Sequence, residues 1–393
     1  MEGAKLNILF LSCWYPNKIK PLNGIFVKRH AAASALNCYV SAIFICAAEN
    51  ESIEESVEDG VYTLRGYYKK PAVKIPLVTK IVKLIRYILM WKKVLSFYKN
   101  KKGKPDLINA TVVYYPVSIV APLLKIVWGV PYVITEHWSG YFPEDGRYNG
   151  FVLKTISRHA VARAGAVIAV SKKLSDTMQS LGLKNKYFLI PNVVDTGIFT
   201  VKPENVLSPK ADSNFNFIHI SSLSGEKNVT GIIRTFKKFH ALHPDSKLTL
   251  IWDKEAKELL DKVKEESFSE ADGVFLIGRK VGLELAAVYQ QGDAFILFSN
   301  FENLPVVMLE SLCCGVPVIG TRVGDVPEYI NGKNGLLVDS KNEIQLLEAM
   351  EKMYSNKGKY NALEIRKEVA DKVNAAAIAE QFLAVYKICL NKN

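Results

Sequence analysis

Residues 294–338 constrain the fold most strongly, because they predict a strand, a loop, a helix and a second strand in direct succession. The run AFILF is apolar and of strand length, and VPVIGT is a second such run. Between them, Asn303 is a good N-cap, Pro305 suits a first helical turn and Gly315 ends the helix. Elements joined in this order form a βαβ crossover, which predicts a parallel sheet with helices packed on it.

Two glutamates bracket the start of this predicted helix, Glu302 just before it and Glu310 within it. Because their separation is a little more than two helical turns, both carboxylates can face the same side, roughly 10–12 Å apart along the axis. This suits a ligand with hydroxyl groups at both ends and an anion in the middle, where the helix start offers N–H groups and a positive dipole end. A nucleotide-diphosphate sugar has this layout. A surface helix with two solvated carboxylates is the alternative.

Predicted strands and helices alternate through the rest of the chain. Its 393 residues are enough for two or three domains. Residues 200–214 are polar, include Pro203 and Pro209, and are predicted to link two domains. The predicted organisation is an N-terminal domain over 1–199, the linker over 200–214, a C-terminal domain over 215–373 and a final helix over 374–393.

The net charge of +12 and the pI of about 9.2 favour an anionic partner. Nucleic acid is not predicted, because the sequence has no zinc-finger spacing, no Lys/Arg-Gly-Phe aromatic motif and no basic tail. A nucleotide together with an anionic membrane surface accounts for the charge equally well, and we favour that account. The six cysteines lie in apolar contexts without metal-ligand spacing and are expected to be buried free thiols.

The N-terminal segment MEGAKLNILFLSCWYP contains Glu2 and only a short apolar run, so it predicts a buried first strand and not a signal peptide. No run reaches the roughly 18–20 apolar residues that span a bilayer. We therefore expect a cytoplasmic protein that is peripheral on the inner face of the cytoplasmic membrane.

Segment 69–104 suggests how such a protein binds the membrane, because it holds twelve Lys or Arg residues and no Asp or Glu. A helix is predicted over 79–98. At about 100° per residue, four basic and three apolar side chains share one side of that helix. They are Lys80, Lys83, Arg86 and Lys93 with Tyr87, Met90 and Val94. Such a face is typical of an interfacial membrane helix, and a core helix with a solvated basic edge is the alternative.

The run VPYVITEH predicts a strand with Glu136 and His137 at its carboxyl end, where ligand-contacting groups collect in α/β sheets. The aromatic loop that follows, which contains Tyr141, is of a kind that recognises acceptors. Glu136 could orient the imidazole or bind the acceptor, and a histidine satisfied in the core is the alternative for His137. Gly24, just before a predicted helix, could let the backbone approach a phosphate or form a plain turn.

Several motifs resemble those of the retaining GT-B glycosyltransferases of family 4, and the resemblance covers nearly the whole chain. The spacing of Glu302 and Glu310 matches the EX7E motif, and residues 324–328, GDVPE, are similar to the family's Gly-Gly-x-Pro-Glu loop. The turn SSLSGEKN is similar to Gly-Arg-Leu-x-x-x-Lys, with Lys227 retained and Ser222 where arginine is usual.

Two departures from the family pattern bear on donor binding. Asn23 replaces the first glycine of a pair that lies near the donor diphosphate in the family, so only Gly24 carries over. Ser222 removes one of two cations that grip the diphosphate. That loss would lower donor affinity about tenfold to a hundredfold, unless Arg279 or Lys280 replaces the missing charge.

The resemblance implies an α/β fold of the GT-B architecture, with two Rossmann-like doubly wound domains facing across a cleft. It also implies that the second domain holds the nucleotide and that the last helix returns to the first domain. Glu302 would hold sugar hydroxyls, Glu310 the ribose, and the amides of Asn303 and Leu304 the diphosphate. The candidate catalytic residues are Glu302, Lys227 and His137; the candidate donor-binding residues are Glu310, Asn303, Leu304, Gly24, Ser222, Arg279 and Val281; the candidate acceptor-binding residues are Glu136 and Tyr141.

The implied activity is retaining transfer of a sugar from a nucleotide-diphosphate sugar, with UDP favoured, to a hydroxyl of a lipid-linked or growing polysaccharide acceptor. Cell-surface polysaccharide biosynthesis is the expected role. Because no Asp-x-Asp pair occurs, we expect no essential metal and no cofactor besides the nucleotide-sugar co-substrate. The alternatives are a non-catalytic nucleotide-sugar or polysaccharide-binding protein on the same scaffold and a GT-B sugar-nucleotide epimerase.

Overall fold

A computed structural model describes residues 5–72, 75–113, 116–202, 214–221, 225–252 and 269–391. The chain divides into two compact units, Met1–Val193 with Ala375–Asn393 and Val194–Asn374. The first unit therefore ends at Val193, and the predicted boundary at position 199 lies inside the second unit. Most of the predicted linker, residues 203–213, lies outside the described residues.

The first unit is built on an eight-stranded sheet in the order β3-β4-β2-β1-β5-β6-β7-β8. Its strands are β1 (Asn7–Ser12), β2 (Tyr39–Ala48), β3 (Ser52–Glu58), β4 (Val61–Lys69), β5 (Leu107–Thr111), β6 (Tyr132–Glu136), β7 (Val167–Ala169) and β8 (Tyr187–Leu189). All pairings are parallel except the β3–β4 hairpin. The central strands are buried almost throughout, as expected for a parallel sheet covered on both faces.

The second unit contains a six-stranded, fully parallel sheet in the order β11-β10-β9-β12-β13-β14. Its strands are β9 (Asn216–Ser221), β10 (Lys247–Trp252), β11 (Val274–Gly278), β12 (Ala294–Leu297), β13 (Val318–Thr321) and β14 (Gly335–Val338). The order reverses between β9 and β12, which makes this edge a topological switch point, where open α/β sheets bind ligands.

Helices cover both faces of each sheet. In the first unit they are α1 (Ile25–Asn37), α2 (Pro76–Lys102), α3 (Val117–Trp128), α4 (Phe151–Arg163) and α5 (Lys172–Ser180). In the second unit they are α6 (Val229–Leu242), α7 (Gly282–Gln291), α8 (Val306–Cys313), α9 (Val326–Tyr329), α10 (Glu343–Ser355) and α11 (Ala362–Val373). The last helix, α12 (Ala375–Leu390), belongs to the first unit. The predicted α/β class with two Rossmann-like parallel-sheet domains is confirmed.

Two core layers sandwich the first sheet. Side chains of α2, α3 and α4 share one apolar cluster on one face. Those of α1 and α12 share a second cluster on the other face. The Tyr386 hydroxyl of α12 contacts Asn109 Nδ2 at 2.8 Å and Ser34 Oγ at 3.3 Å, which fixes this helix against β5 and α1.

One stretch of the described residues, Ala362–Leu390, is long and apolar enough to cross a membrane by length and composition. In the structure it consists of α11 and α12, which are separated at Asn374. The side chains of Ile378 and Phe382 on α12 are buried in the core of the first unit. This stretch is therefore folded as two core helices.

Three local predictions are wrong. Pro305, and not Asn303, is the N-cap of α8, so the helix begins at Val306. On α2, Met90 and Val94 are buried in the sheet-facing core, so the apolar side chains predicted to share a membrane face with the basic residues point inward. The helix is also longer than predicted, since it begins at Pro76 and ends at Lys102.

Candidate active site

An ion pair lies at the carboxyl edge of the second sheet. The turn Gly225–Lys227 comes after β9 and Glu302 comes after β12, and these two strands are parallel neighbours. Because parallel strands end at the same edge, the two loops meet there. Lys227 Nζ lies 2.6 Å from Glu302 Oε1, and the Ser299 hydroxyl donates to the same oxygen at 2.7 Å. Only 8% of the Glu302 side chain is exposed, so the pair is shielded from bulk solvent on the carboxylate side.

Backbone contacts hold these two loops together. The Asn300 backbone N–H donates to the carbonyl of Glu226 at 2.7 Å, and its side-chain amide donates to the carbonyl of Gly225 at 3.1 Å. The ion pair therefore sits on two loops that are already tied by hydrogen bonds. Such support limits the motion of the ammonium and the carboxylate relative to each other.

Gly324 supports the Glu302 loop from the other side. Its φ is +58°, and a Cβ at this position would lie 2.3 Å from the carbonyl oxygen of Glu302 and 2.5 Å from that of Asn303. The next residue, Asp325, is buried and its N–H donates to the Asn303 carbonyl at 3.0 Å. Only glycine fits at 324, because any side chain would push the backbone of residues 302 and 303 away.

Glu310 lies on α8 and is buried within the second unit. Asn303 and Leu304 form the short segment between Glu302 and the helix start, and Leu304 is buried in the core. The first residue of α8, Val306, follows Glu302 by four positions, so the positive end of the helix dipole lies near the Glu302 loop. The structure brings the predicted residues Lys227 and Glu302 into direct contact. The roles assigned to Glu310, Asn303 and Leu304 stay predictions.

Three further candidate donor-binding residues are Ser222, Arg279 and Val281. Ser222 lies outside the described residues. Arg279 and Val281 follow β11, the edge strand, which β10 separates from β9 and its Lys227 turn. Val281 is the N-cap of α7 and is about half exposed. The donor-binding roles predicted for these two residues stay predictions.

In the first unit, Gly24 precedes α1 in the left-handed region with φ +65°. A Cβ there would lie 2.3 Å from the backbone carbonyl of Trp14. The glycine is thus required by the close approach of the α1 start to the loop after β1. The sequence does not reveal this close packing against Trp14. The predicted contact of Gly24 with a phosphate stays a prediction.

His137 is almost fully buried and packs between two rings of α1. Its ring centroid lies 4.7 Å from that of Phe26 and 5.0 Å from that of His30. Burial holds the pKa of His137 well below its usual value, and the neighbouring His30 lowers it further. The imidazole is therefore neutral at pH 7, and the catalytic role predicted for it stays a prediction.

His30 was missed by sequence reasoning. It is fully buried, its Nε2 lies 2.9 Å from the Pro191 carbonyl oxygen, and burial lowers its pKa to about 4. Since a carbonyl only accepts, Nε2 carries the proton in this contact. A lone histidine within a helix gives no periodic signal, so the sequence offered nothing that distinguished it.

Glu136 and Tyr141, the predicted acceptor-binding residues, point inward. The Glu136 carboxylate is fully buried and accepts from the backbone N–H groups of Val113, His137 and Trp138 and from the Tyr141 hydroxyl at 3.1 Å. Burial raises the pKa of this carboxyl group, and the four hydrogen bonds oppose that rise. In this structure the two side chains hold the loop after β6 in place and do not form a contact surface.

Comparison with known proteins defines the class. Residues 33–197 match the model described as Glycosyltransferase Family 4, and residues 205–369 match the model described as Glycosyl transferases group 1. Together with the fold, these matches define a glycosyltransferase of the GT-B type. The chain belongs to the family 4 glycosyltransferases.

Two curated relatives share 28% and 25% sequence identity with this chain. The N-acetyl-alpha-D-glucosaminyl L-malate synthase of Bacillus anthracis is 28% identical over 60% of this chain and 62% of its own length. TuaC of Bacillus subtilis, a glycosyltransferase named for teichuronic acid biosynthesis, is 25% identical over 88% of each chain. Two solved structures share the fold. The sucrose-phosphate synthase of Thermosynechococcus elongatus has a TM-score of 0.78 at 18% identity and covers 99% of this chain and 100% of its own. Anabaena Alr3699/HepE with UDP and glucose has a TM-score of 0.72 at 16% identity and covers 97% and 99%.

Proposed function

We propose that this protein transfers a sugar, with retention of anomeric configuration, from a nucleotide-diphosphate sugar to a hydroxyl group of an acceptor. The observation that carries the proposal is the Lys227–Glu302 ion pair at the switch point of the second sheet, directly before the start of α8. A cation, a carboxylate and a helix N-terminus at one edge match the phosphates and hydroxyls of such a donor.

The chemistry assigned to these groups is electrostatic. The bond from the anomeric carbon to the diphosphate oxygen breaks, and its electron pair leaves with the diphosphate. The acceptor oxygen bonds to the same face of the sugar, and its proton passes to the departing phosphate oxygen. Lys227 stabilises the charge on that leaving group, together with the amides of Asn303 and Leu304 at the helix start. Glu302 accepts from sugar hydroxyls and Glu310 from the ribose.

UDP is the favoured nucleotide in this proposal, because the fold neighbour Alr3699/HepE was solved with UDP and with UDP-glucose. The favoured acceptor is a lipid-linked or growing polysaccharide. That choice is supported by the match to TuaC over most of both chains. An anionic membrane surface is the partner proposed for residues 79–98, since α2 carries eight Lys or Arg residues and no Asp or Glu.

A panel of radiolabelled nucleotide sugars tests the reaction. Wild-type protein is expected to release or transfer sugar from one of them, and Glu302→Ala and Glu310→Ala are expected to reduce that rate by at least about a hundredfold, in line with the loss of a transition-state contact. The surface variant Glu348→Ala on α10 is the control. Undiminished transfer in both glutamate variants would contradict the site assignment, and binding of nucleotide sugars without any turnover would favour the non-catalytic alternative.

A further inference from the structure

The first half of α2 forms an uncovered apolar stripe. Residues 76–89 are all described, and none of them is buried. Six large aliphatic side chains among them face solvent: Leu77, Ile81, Leu84, Ile85, Ile88 and Leu89. At about 100° per residue they occupy one side of the helix, turned away from the core residues Met90 and Val94. Monomeric soluble proteins seldom leave such a contiguous apolar surface open to water.

Two neighbouring helices extend this surface. α3 exposes Ile119, Leu123, Ile126 and Val127, and α4 begins with the exposed pair Phe151 and Val152. The inner sides of α2, α3 and α4 belong to one core cluster, so the three helices form one layer on the same face of the sheet. Lys104, just after α2, donates to the last carbonyl of α3 at Trp128, and Lys125 of α3 donates to the last carbonyl of α4 at Arg163. The exposed aliphatic side chains of α2, α3 and α4 are called the apolar layer below.

The charge of this layer is one-sided. The three helices together hold twelve Lys or Arg residues and no Asp or Glu. On α2, Lys80 is exposed beside the aliphatic stripe and Lys92 is exposed at its end. Lys83 lies on the opposite side of the helix, and Lys93 pairs with Glu51 at 2.9 Å. Lys101 likewise pairs with Glu55, and the other lysines leave an excess of positive charge on the three helices. A surface that combines exposed aliphatic groups with excess positive charge is complementary to lipid chains beneath anionic headgroups.

We infer that the apolar layer inserts into the interface of an anionic phospholipid bilayer, with the lysines at the level of the headgroups. This deepens the membrane partner of the proposed function by naming the inserted side chains, and it adds α3 and α4 to the contact. It does not depend on the transfer reaction. Aliphatic insertion supplies attachment that salt does not screen, and the lysines supply the part that salt screens.

Sedimentation of the full chain with vesicles tests this inference. The vesicles contain phosphatidylcholine alone or phosphatidylcholine with phosphatidylglycerol, at low and at high salt. Wild-type protein is expected to bind the anionic vesicles and to keep part of that binding at high salt. Leu84→Ser with Ile88→Ser on α2, and separately Ile126→Ser with Val127→Ser on α3, are each expected to weaken binding by about tenfold or more, since each removes two inserted side chains. Ile344→Ser in the second unit, whose side chain is 73% exposed, is the matched control.

Three outcomes would overturn the inference. One is that wild-type protein stays in the supernatant with anionic vesicles, and a second is that both pairs of serine variants sediment like wild type. The third is a dimer in size-exclusion chromatography that the serine variants dissociate, which would assign the layer to a second copy of the chain. UDP binding by calorimetry separates this result from the proposed function, because the serine variants should bind UDP like wild type and Glu302→Ala should still sediment.

Discussion

Lys227 and Glu302 are 75 positions apart in the sequence, yet Nζ and Oε1 lie 2.6 Å apart. Their contact follows from the topology of the second sheet, since β9 and β12 are adjacent, parallel and end at the same edge. In the absence of a donor, each group compensates the charge of the other. A diphosphate near Lys227 would therefore compete with Glu302 for the ammonium. The first prediction below measures the contact of Lys227 with the diphosphate, and the second measures the ion pair.

Replacing Lys227 with alanine should weaken UDP binding about tenfold to a hundredfold. A charge-assisted hydrogen bond to a phosphate contributes roughly 1.5–3 kcal/mol, and that contribution is lost together with the ammonium. Isothermal calorimetry with UDP measures the effect. Lys238→Ala, which removes an exposed lysine of α6, should bind UDP like wild type. Equal affinities for both variants would show that Lys227 does not contact the diphosphate.

The same pair should also contribute to stability. In Lys227→Met the buried Glu302 carboxylate keeps its bond from Ser299 and loses its cation, which should cost about 1–3 kcal/mol. Adding Glu302→Gln removes the uncompensated charge, so the double variant should recover part of that loss. Chemical denaturation of the four proteins measures the coupling. Additive losses in the double variant would mean that the ion pair is not formed in solution.

Gly324→Ala should disturb the Glu302 loop. The φ of +58° and the predicted clash with the Glu302 carbonyl together should cost about 1–3 kcal/mol of unfolding free energy. Because the clash displaces residues 302 and 303, UDP binding should fall as well. Gly332→Ala, at a position where a Cβ meets no atom within 4 Å, is the control. A variant at 324 that melts and binds UDP like wild type would show that the loop is not held by this contact.

The alternation of strands and helices was predictable from local apolar patterns. The resemblance to family 4 placed Lys227 and Glu302 in one donor site, but the ion pair between them was not predicted. The start of α8 was not predicted either. Asn303 has the side chain of an N-cap, but its carbonyl accepts from Asp325 and its backbone packs on Gly324, so a contact from another loop keeps residues 302–304 out of the helix. Contacts of this kind leave no trace in the local sequence.

The exposed apolar side of α2 was also not predictable from the sequence. Apolar residues occur around the whole helix, so periodicity cannot say which of them face the sheet. The choice is made by β4, where Gly66 leaves room for Val94 and Met90 to pack closely. Once these side chains enter the core, the aliphatic residues of the opposite side remain exposed.

Removing metal ions should leave transfer unchanged. The ammonium of Lys227 and the start of α8 are proposed to carry the phosphate charge, and the sequence has no Asp-x-Asp pair. Activity assays with excess EDTA, compared with added Mg²⁺ or Mn²⁺, measure this. Loss of activity in EDTA that either ion restores would contradict the prediction.

Acidification should destabilise the protein between about pH 6.5 and pH 4. Burial lowers the pKa of His30 and of His219 to about 4, so the unfolded chain binds more protons than the folded chain in this window. The stabilisation is fully present above the unfolded pKa and is lost as the pH falls through the folded pKa. For a histidine whose pKa drops from 6.5 to about 4 on folding, the folded state is about 3 kcal/mol less stable below pH 4 than at neutral pH.

His30→Gln removes one of the two buried histidines of the first unit whose pKa is lowered, the other being His137. The glutamine amide can still donate to the Pro191 carbonyl, but it does not take up a proton, so the loss of stability between pH 7 and pH 5 should be smaller than in wild type. His159→Gln removes an exposed histidine and should leave the pH dependence unchanged. Denaturation midpoints at the two pH values measure both variants. If His30→Gln shows the full wild-type dependence, protonation of His30 does not contribute to the pH dependence of stability.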